Sequence, residues 1–140
     1  MRDLSEILMS ARVVAVLGAH HEPGRAAFYV PDYLHSMGYH LLPVNPMLVG
    51  RVLWGVPVVA RLTDLERPVD LVDVFRRGES LPDHLDEILA MRPPPRTVWL
   101  QSGIRNDAVA AALEAAGLEV VRDRCMLAEH RARRLPAIAV

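Results

Sequence analysis

Short apolar runs alternate with stretches of helical periodicity along this chain, and this alternation is the strongest constraint on its fold. The runs are RVVAVLGA (12–19), YHLLPVNP (39–46), VDLVDVF (69–75), RTVWLQSG (96–103) and LEVVRD (118–123). Consecutive Val and Leu residues are typical of strands that are buried on both faces of a parallel sheet. Because strand–helix–strand crossovers are right-handed, the pattern predicts an α/β fold, a doubly wound parallel sheet of about five strands in the order 3-2-1-4-5 with helices on both faces. Ligands of such sheets bind at the carboxyl ends of the strands, at the switch point above the first strand.

Helix signals separate the runs. Residues 28–37 are predicted to form a helix that Gly38 ends, with Pro31 in its first turn or at a kink. Residues 47–60 are predicted to form a short hairpin or an irregular excursion. The predicted helix N-caps are Asp3 with Glu6 as its capping-box partner, Ser80, and Asn106 or Asp107.

Composition and length limit the class of protein. We expect a single domain over residues 1–140 that works in the cytoplasm, because no apolar run approaches a membrane span and the N-terminus lacks a signal-peptide core. A net charge of -1 argues against non-specific nucleic-acid binding. Cys125 is the only cysteine, which excludes an internal disulfide and a multi-cysteine metal site. The absence of lysine is typical of a GC-rich or heat-adapted, thermophile-like source.

The stretch VLGAHHEPGRAAFYV (16–30) is predicted to be a phosphate-binding turn. A strand that ends at Gly18 and leads into a helix offers free backbone N–H groups and the positive end of the helix dipole. The nucleotide-binding fingerprint G-x-G-x-x-G is absent, and no acidic residue follows the second strand to hold an adenosine ribose, which argues against NAD. Arg25 follows the turn, and Arg76 and Arg77 directly follow the third run, so that guanidinium groups are available for phosphate.

The motifs VAVLGAHHEPGR, GYHLLPVNP, VDLVDVFRR, VWLQSGI and VVRDRCMLAEH together resemble the small stand-alone coenzyme A-binding proteins. Their fold is that of the CoA-binding domain of the succinyl-CoA synthetase alpha subunit. The resemblance extends from about residue 5 to residue 130. It implies a Rossmann-like fold and coenzyme A as the ligand, and it implies no reaction, because the other domains of the synthetase are missing.

The resemblance also implies roles for individual residues. The turn Gly18-Ala19-His20 would meet the pyrophosphate, and Arg25 would reach a phosphate. The other implied contacts are Val44, Asn45 and Pro46 on the adenine and ribose side, Phe75 and Arg76 flanking the nucleotide, and Gln101, Ser102 and Gly103 along the pantetheine path. Two residues depart from the family pattern: His20 stands where a serine is usual, and Pro31 lies where an ordinary helix continues.

Few side chains are candidates for chemistry. Cys125 and His130 could form an activated nucleophile, but their spacing does not share a helix face well, and a small buried cysteine is the more common role. A metal at His20 and His21 is not expected, because no acidic partner has a suitable spacing. For Asp70 and Asp73 of the third run, structural hydrogen bonds are favoured over acid–base work, and Trp99 and Phe75 are expected in the core, with Trp54 exposed.

The sequence therefore predicts a protein that binds coenzyme A or an acyl-CoA as a sensor or carrier and is not itself an enzyme. One alternative is a component of a CoA-dependent transferase or ligase that needs a partner subunit. Another is an NAD-type nucleotide-binding redox sensor, which the missing acidic residue disfavours. We expect no metal, no nucleic-acid or membrane partner, and no catalytic residue set.

Overall fold

The computed structural model describes residues 1–138. The strands are β1 (Val13–Leu17), β2 (His40–Val44), β3 (Val52–Leu53), β4 (Val56–Pro57), β5 (Leu71–Val74), β6 (Thr97–Leu100) and β7 (Glu119–Val121). The α-helices are α1 (Leu4–Ser10), α2 (Ala26–Ser36), α3 (Leu81–Ala90), α4 (Asp107–Ala115) and α5 (Met126–Ala132). Single turns of 3-10 helix occupy Pro46–Leu48, Leu62–Asp64 and Gly78–Ser80.

The five longer strands form one parallel sheet in the order β2-β1-β5-β6-β7. The predicted α/β, Rossmann-like architecture is confirmed. The run 69–75 lies directly beside β1, where Val16 is the register partner of Asp73. The chain leaves β1 toward β2 and returns on its other side at β5, so that a switch point lies above β1.

The place outside β2 is filled by the segment that precedes β5. Val59 forms an isolated parallel bridge with Val44, in which Asn45 N–H donates to Val59 O at 2.9 Å and Val59 N–H donates to Pro43 O at 3.2 Å. If this bridge is counted as the third strand, the arrangement agrees with the predicted order 3-2-1-4-5, with β7 added at the far edge. In that numbering the run 69–75, which the sequence analysis counts as the third strand, becomes strand 4, beside strand 1.

The sheet separates two apolar clusters, which places helices on both faces as predicted. On one face, Val72 and Val74 of β5 pack in a cluster that includes Ile88 of α3 and Leu113 of α4. The opposite face holds Trp99, which is fully buried, together with side chains from α1, α2 and α5. The expected core position of Trp99 is confirmed.

Helix caps follow the sequence signals with two exceptions. Asp3 accepts the N–H of Glu6 at 2.9 Å, and Asn106 accepts the N–H of Val109 at 3.0 Å. Within residues 1–138 the Glu6 side chain makes no return hydrogen bond to the Asp3 N–H, so the predicted capping box is only half formed. Ser80 holds the N-cap position of α3, but its side chain makes no capping hydrogen bond, since the turn Gly78–Ser80 leads into the helix with Ser80 already in helical backbone geometry.

Residues 47–60 contain the predicted hairpin, in which Val52 pairs with Pro57. Trp54 lies in its turn with a positive φ of 53°. The indole stacks on Phe28 with ring centroids 5.8 Å apart, and its N–H donates to Asp32 at 3.3 Å. The expectation of an exposed Trp54 is therefore wrong, because the hairpin folds back onto α2 and half-buries the ring.

Candidate functional site

The turn after β1 is anchored to the end of β2. Gly18 adopts a φ of +89°, a backbone conformation that favours glycine. The N–H groups of Gly18 and Ala19 both donate to Val44 O, at 2.9 and 3.3 Å. His20 N–H donates to Ala27 O at 3.2 Å. The expectation that these N–H groups are free for a ligand is wrong, since the neighbouring strand and helix accept from them.

Pro31 explains how α2 can accept a hydrogen bond from this turn. It lies inside α2 and has no N–H to donate to Ala27, four residues earlier. The Ala27 carbonyl is therefore available, and the N–H of His20 occupies it. The departure at Pro31 thus fastens the turn to the first turn of the helix.

Arg76 lies over the turn. A Cβ atom placed on Gly18 would come within 3.3 Å of Arg76 Nε and 3.4 Å of its Cδ, so only a glycine leaves the guanidinium this close to the backbone. Arg76 Nε is buried and has no hydrogen-bond partner within residues 1–138. Since a buried N–H without an acceptor costs free energy, this group is ready to donate to an anion at the turn.

Arg25 holds the N-cap position of α2, and its side chain makes no capping hydrogen bond. It is 65% exposed and pairs with Glu22 at 3.5 Å. An exposed pair of this kind contributes little stability. Arg25 is therefore able to swing toward a ligand at the helix N-terminus.

Asn45 ties the two neighbouring turns together rather than facing outward. Its amide N–H donates to Ala19 O at 2.8 Å, and its side-chain oxygen accepts the N–H of Met47 at 2.9 Å. Ala19, Val44 and Asn45 are all buried, whereas Pro46 is exposed. After β2, a ligand can therefore contact the backbone and Pro46, while the buried side chains of Ala19, Val44 and Asn45 hold this backbone in place.

The loop after β6 completes the edge. Gln101 is buried, and Ser102 and Gly103 are exposed. Gly103 has a φ of +82°, and its N–H donates to Asp123 at 2.7 Å, which fixes this loop to the one after β7. Phe75 is half-buried at the end of β5, so its expected place in the core is only partly reached. All the residues predicted for the site lie at the carboxyl ends of β1, β2, β5 and β6 or at the start of α2.

Asp73 is the one fully buried carboxyl group at this edge. Its Oδ1 accepts the Gln101 amide N–H at 2.6 Å, while its Oδ2 is buried without a partner within residues 1–138. Burial raises the pKa of Asp73 to about 8, against a lowering effect of the Gln101 hydrogen bond. Asp70, by contrast, is exposed at the amino end and accepts the N–H groups of Arg12 and Val13, a structural role as predicted.

Cys125 and His130 do not form a catalytic pair. Cys125 is half-buried at the N-cap of α5. His130 is buried, and its Nδ1 shares a hydrogen bond of 2.7 Å with the hydroxyl of Tyr33 on α2. No hydrogen bond joins the two residues in the described part of the chain. The imidazole therefore contributes to the contact between α2 and α5.

The side chains of the two histidines of the turn, His20 and His21, stack on each other. Their ring centroids are 4.9 Å apart, and Nδ1 of His20 accepts the N–H of Glu22 at 3.0 Å. Nδ1 of His21 is buried and has no partner within residues 1–138. In the same residues, no group of three His, Cys, Asp or Glu side chains is arranged to hold a metal ion.

Comparisons with known proteins decide the family. The model of the CoA binding domain family matches residues 12–131, most of the chain. This chain belongs to the CoA-binding domain family. The expected resemblance is thereby confirmed. None of the helices within residues 1–138 of this CoA-binding domain is long and apolar enough to cross a membrane.

Several known proteins are similar to this chain over most of its length. A solved structure from Thermus thermophilus, cell-free ID.343, is 52% identical, with a TM-score of 0.89 over 92% of this chain and 95% of that one. The Bacillus subtilis protein YneT is 33% identical over 91% of this chain and 92% of its own length. An acetyl-coenzyme A synthetase of Ca. Korarchaeum cryptofilum matches with a TM-score of 0.67 at 17% identity, over 86% of this chain and 27% of the synthetase. That last likeness shows the fold alone.

Proposed function

We propose that this domain binds coenzyme A, or an acyl-CoA, at the carboxyl edge of its sheet. The observation that carries the proposal is the guanidinium of Arg76, held over the glycine turn with a buried Nε that lacks an acceptor. A phosphate oxygen would supply that acceptor. Membership of the CoA-binding domain family supports coenzyme A over other phosphate-bearing ligands.

The charge of the ligand requires more than the backbone. Coenzyme A carries a pyrophosphate and a 3′-phosphate, whereas a helix N-terminus offers only about half a positive charge. Arg76, beside Gly18, and Arg25, at the N-cap of α2, can supply the remainder. Arginine suits this work because its planar fork donates two hydrogen bonds to one phosphate.

Asn45 supports coenzyme A over NAD. The position after β2 is where a dinucleotide site places an acidic residue for the ribose hydroxyls. Here the residue is an amide whose two ends are already bonded, to Ala19 O and to the N–H of Met47. Nothing acidic is left at this position to receive the ribose of NAD.

We further propose that the domain acts as a sensor or carrier and has no turnover of its own. Cys125 has no histidine bonded to it, and His130 is committed to Tyr33. Incubation of the isolated protein with acetyl-CoA should therefore release no free thiol above the rate without protein. Steady thiol release that disappears in Cys125→Ala would contradict this and favour the transferase or ligase alternative.

Calorimetric titration of arginine variants tests the placement of the phosphates. Arg76→Ala and Arg25→Ala should each weaken CoA binding by roughly tenfold to a hundredfold, since each removes a charge-assisted contact. Arg76→Lys should recover only part of the loss, because it keeps the charge and loses the fork. The loss should be smaller at higher salt. Arg67→Ala, an exposed arginine before the amino end of β5, is the matched control and should bind as wild type. Folded variants at both site positions with wild-type affinity would refute the placement.

A further inference from the structure

Asp73 is a buried carboxyl group with no charged partner. It lies on β5 between Val16 of β1 and Trp99 of β6, its register partners in the sheet. Its side chain is wholly buried, and its one hydrogen-bond partner within residues 1–138 is Gln101. A buried carboxyl group costs free energy, and a leucine would fit an apolar sheet face better. Its effect on Gln101 offers a reason for its presence.

A single hydrogen bond places the nitrogen end of the Gln101 amide toward Asp73. The amide nitrogen donates to Asp73 Oδ1 at 2.6 Å. The buried polar atoms without a partner within residues 1–138 are His21 Nδ1, Asp73 Oδ2, Arg76 Nε and His130 Nε2. Gln101 Oε1 is not one of them, although it accepts no hydrogen bond from these residues, so it keeps contact with solvent. The site is thus offered a hydrogen-bond acceptor.

Gln101 begins the loop that the family resemblance places along the pantetheine arm of coenzyme A. The other end of that loop is held by the bond from Gly103 N–H to Asp123. The pantetheine arm contains two secondary amides, each with one N–H donor. In the orientation that the bond to Asp73 gives it, the amide oxygen of Gln101 would pair with one of those donors.

We propose that Asp73 is a positioning residue that holds the Gln101 amide with Oε1 toward the ligand, so that the site takes a ligand with an amide N–H donor at that point. This inference rests on the proposed function, because it assumes that the pantetheine arm passes Gln101. It adds a specificity determinant that does not touch the ligand. If the Gln101 amide were turned over, the site would offer a donor instead of an acceptor.

Two ligands separate a positioning role from a structural one. The first is CoA, and the second is adenosine 3′-phosphate 5′-diphosphate, which carries the nucleotide and its phosphates without the pantetheine arm. Asp73→Leu removes the acceptor that holds Gln101 and should weaken CoA binding by roughly threefold to tenfold, the loss of about one neutral hydrogen bond. Binding of adenosine 3′-phosphate 5′-diphosphate should not change. Gln101→Met, which removes the outward oxygen directly, should give the same selective loss.

Two further variants complete the test. Asp73→Asn keeps an oxygen that can accept from Gln101 and should recover most of the affinity that Asp73→Leu loses. Asp70→Asn, the same exchange at the opposite end of β5, is the matched control for both ligands.

The outcomes are distinct. Equal losses for both ligands would assign Asp73 a structural role and overturn the inference, as would unchanged CoA binding in Asp73→Leu. If Asp73→Leu does not fold, the selective loss in Gln101→Met decides, and its absence overturns the inference. Wild-type protein that binds adenosine 3′-phosphate 5′-diphosphate and CoA equally would also overturn it. Wild-type protein that binds neither ligand would instead refute the proposed function.

Discussion

Replacing Asp73 with asparagine should change how the stability of this domain depends on pH. The pKa of the folded carboxyl group is about 8 because of burial, compared with an ordinary value of 3.8. Between these values the folded state holds a proton that the unfolded state has released. The unfolding free energy of the wild type therefore falls as pH rises through this interval. Asparagine keeps the hydrogen bond from Gln101 and does not titrate.

The magnitude follows from linkage. Over the interval in which only the folded state is protonated, each pH unit lowers the unfolding free energy by about 1.4 kcal/mol. Between about pH 5 and pH 7 the wild type should lose about 3 kcal/mol relative to Asp73→Asn. Groups other than Asp73 titrate in both proteins, so their contributions cancel in the difference.

Urea unfolding of both proteins at pH 5, 6 and 7 measures this difference directly. We expect the variant to gain stability over the wild type at each step, with little change in the m-value, since the same surface is exposed on unfolding. Parallel pH profiles would refute the reasoning, because they would mean that the Asp73 carboxyl group titrates alike in the folded and unfolded states.

Two other predictions concern the turn and the N-terminal ion pair. Pro31→Ala restores an N–H that competes with His20 for Ala27 O, so hydrogen exchange of the His20 amide, measured by NMR, should accelerate. An unchanged exchange rate of the His20 amide would contradict the role given to Pro31. The hydrogen bond from Arg2 holds the pKa of Glu119 at about 2, below its ordinary 4.5. The ionised Glu119 carboxylate therefore contributes its full stability above pH 4.5, and this contribution is lost as pH falls through about 2. Thermal melts of Glu119→Gln should show a deficit of about 1–3 kcal/mol at neutral pH that shrinks in acid, and a deficit that does not depend on pH would be the contrary result.

The strands could be predicted from sequence because their signal is local. A run such as VVAVL can be recognised as a strand from its own residues, wherever it lies in the sheet. The position of β5 beside β1 could not be predicted in the same way. It depends on the segment 47–60, in which Val59 fills the edge outside β2 by a single isolated bridge. The short apolar stretch around Val59 does not indicate this pairing.

For the candidate site, too, local features could be predicted from the sequence and contacts between distant residues could not. Gly18 and Arg76 were predictable because residue type and strand end both point to them, and the Arg76 guanidinium lies close to the Gly18 backbone. The N–H groups of the turn donate to Val44 O and Ala27 O, which lie in other elements of the fold. The residue spacing in the sequence does not predict these hydrogen bonds. The Asp73–Gln101 pair was missed because it joins neighbouring strands, and only the register of β5 against β6 brings the two residues together.

Calorimetric titration of the wild-type domain with CoA and with NAD under identical conditions tests the central claim most directly. The account predicts saturable binding of CoA at one site per chain, with NAD binding much more weakly. It also predicts that CoA at about 100 times its dissociation constant stabilises the fold by roughly 2.7 kcal/mol. Saturable binding of NAD without binding of CoA would contradict the account.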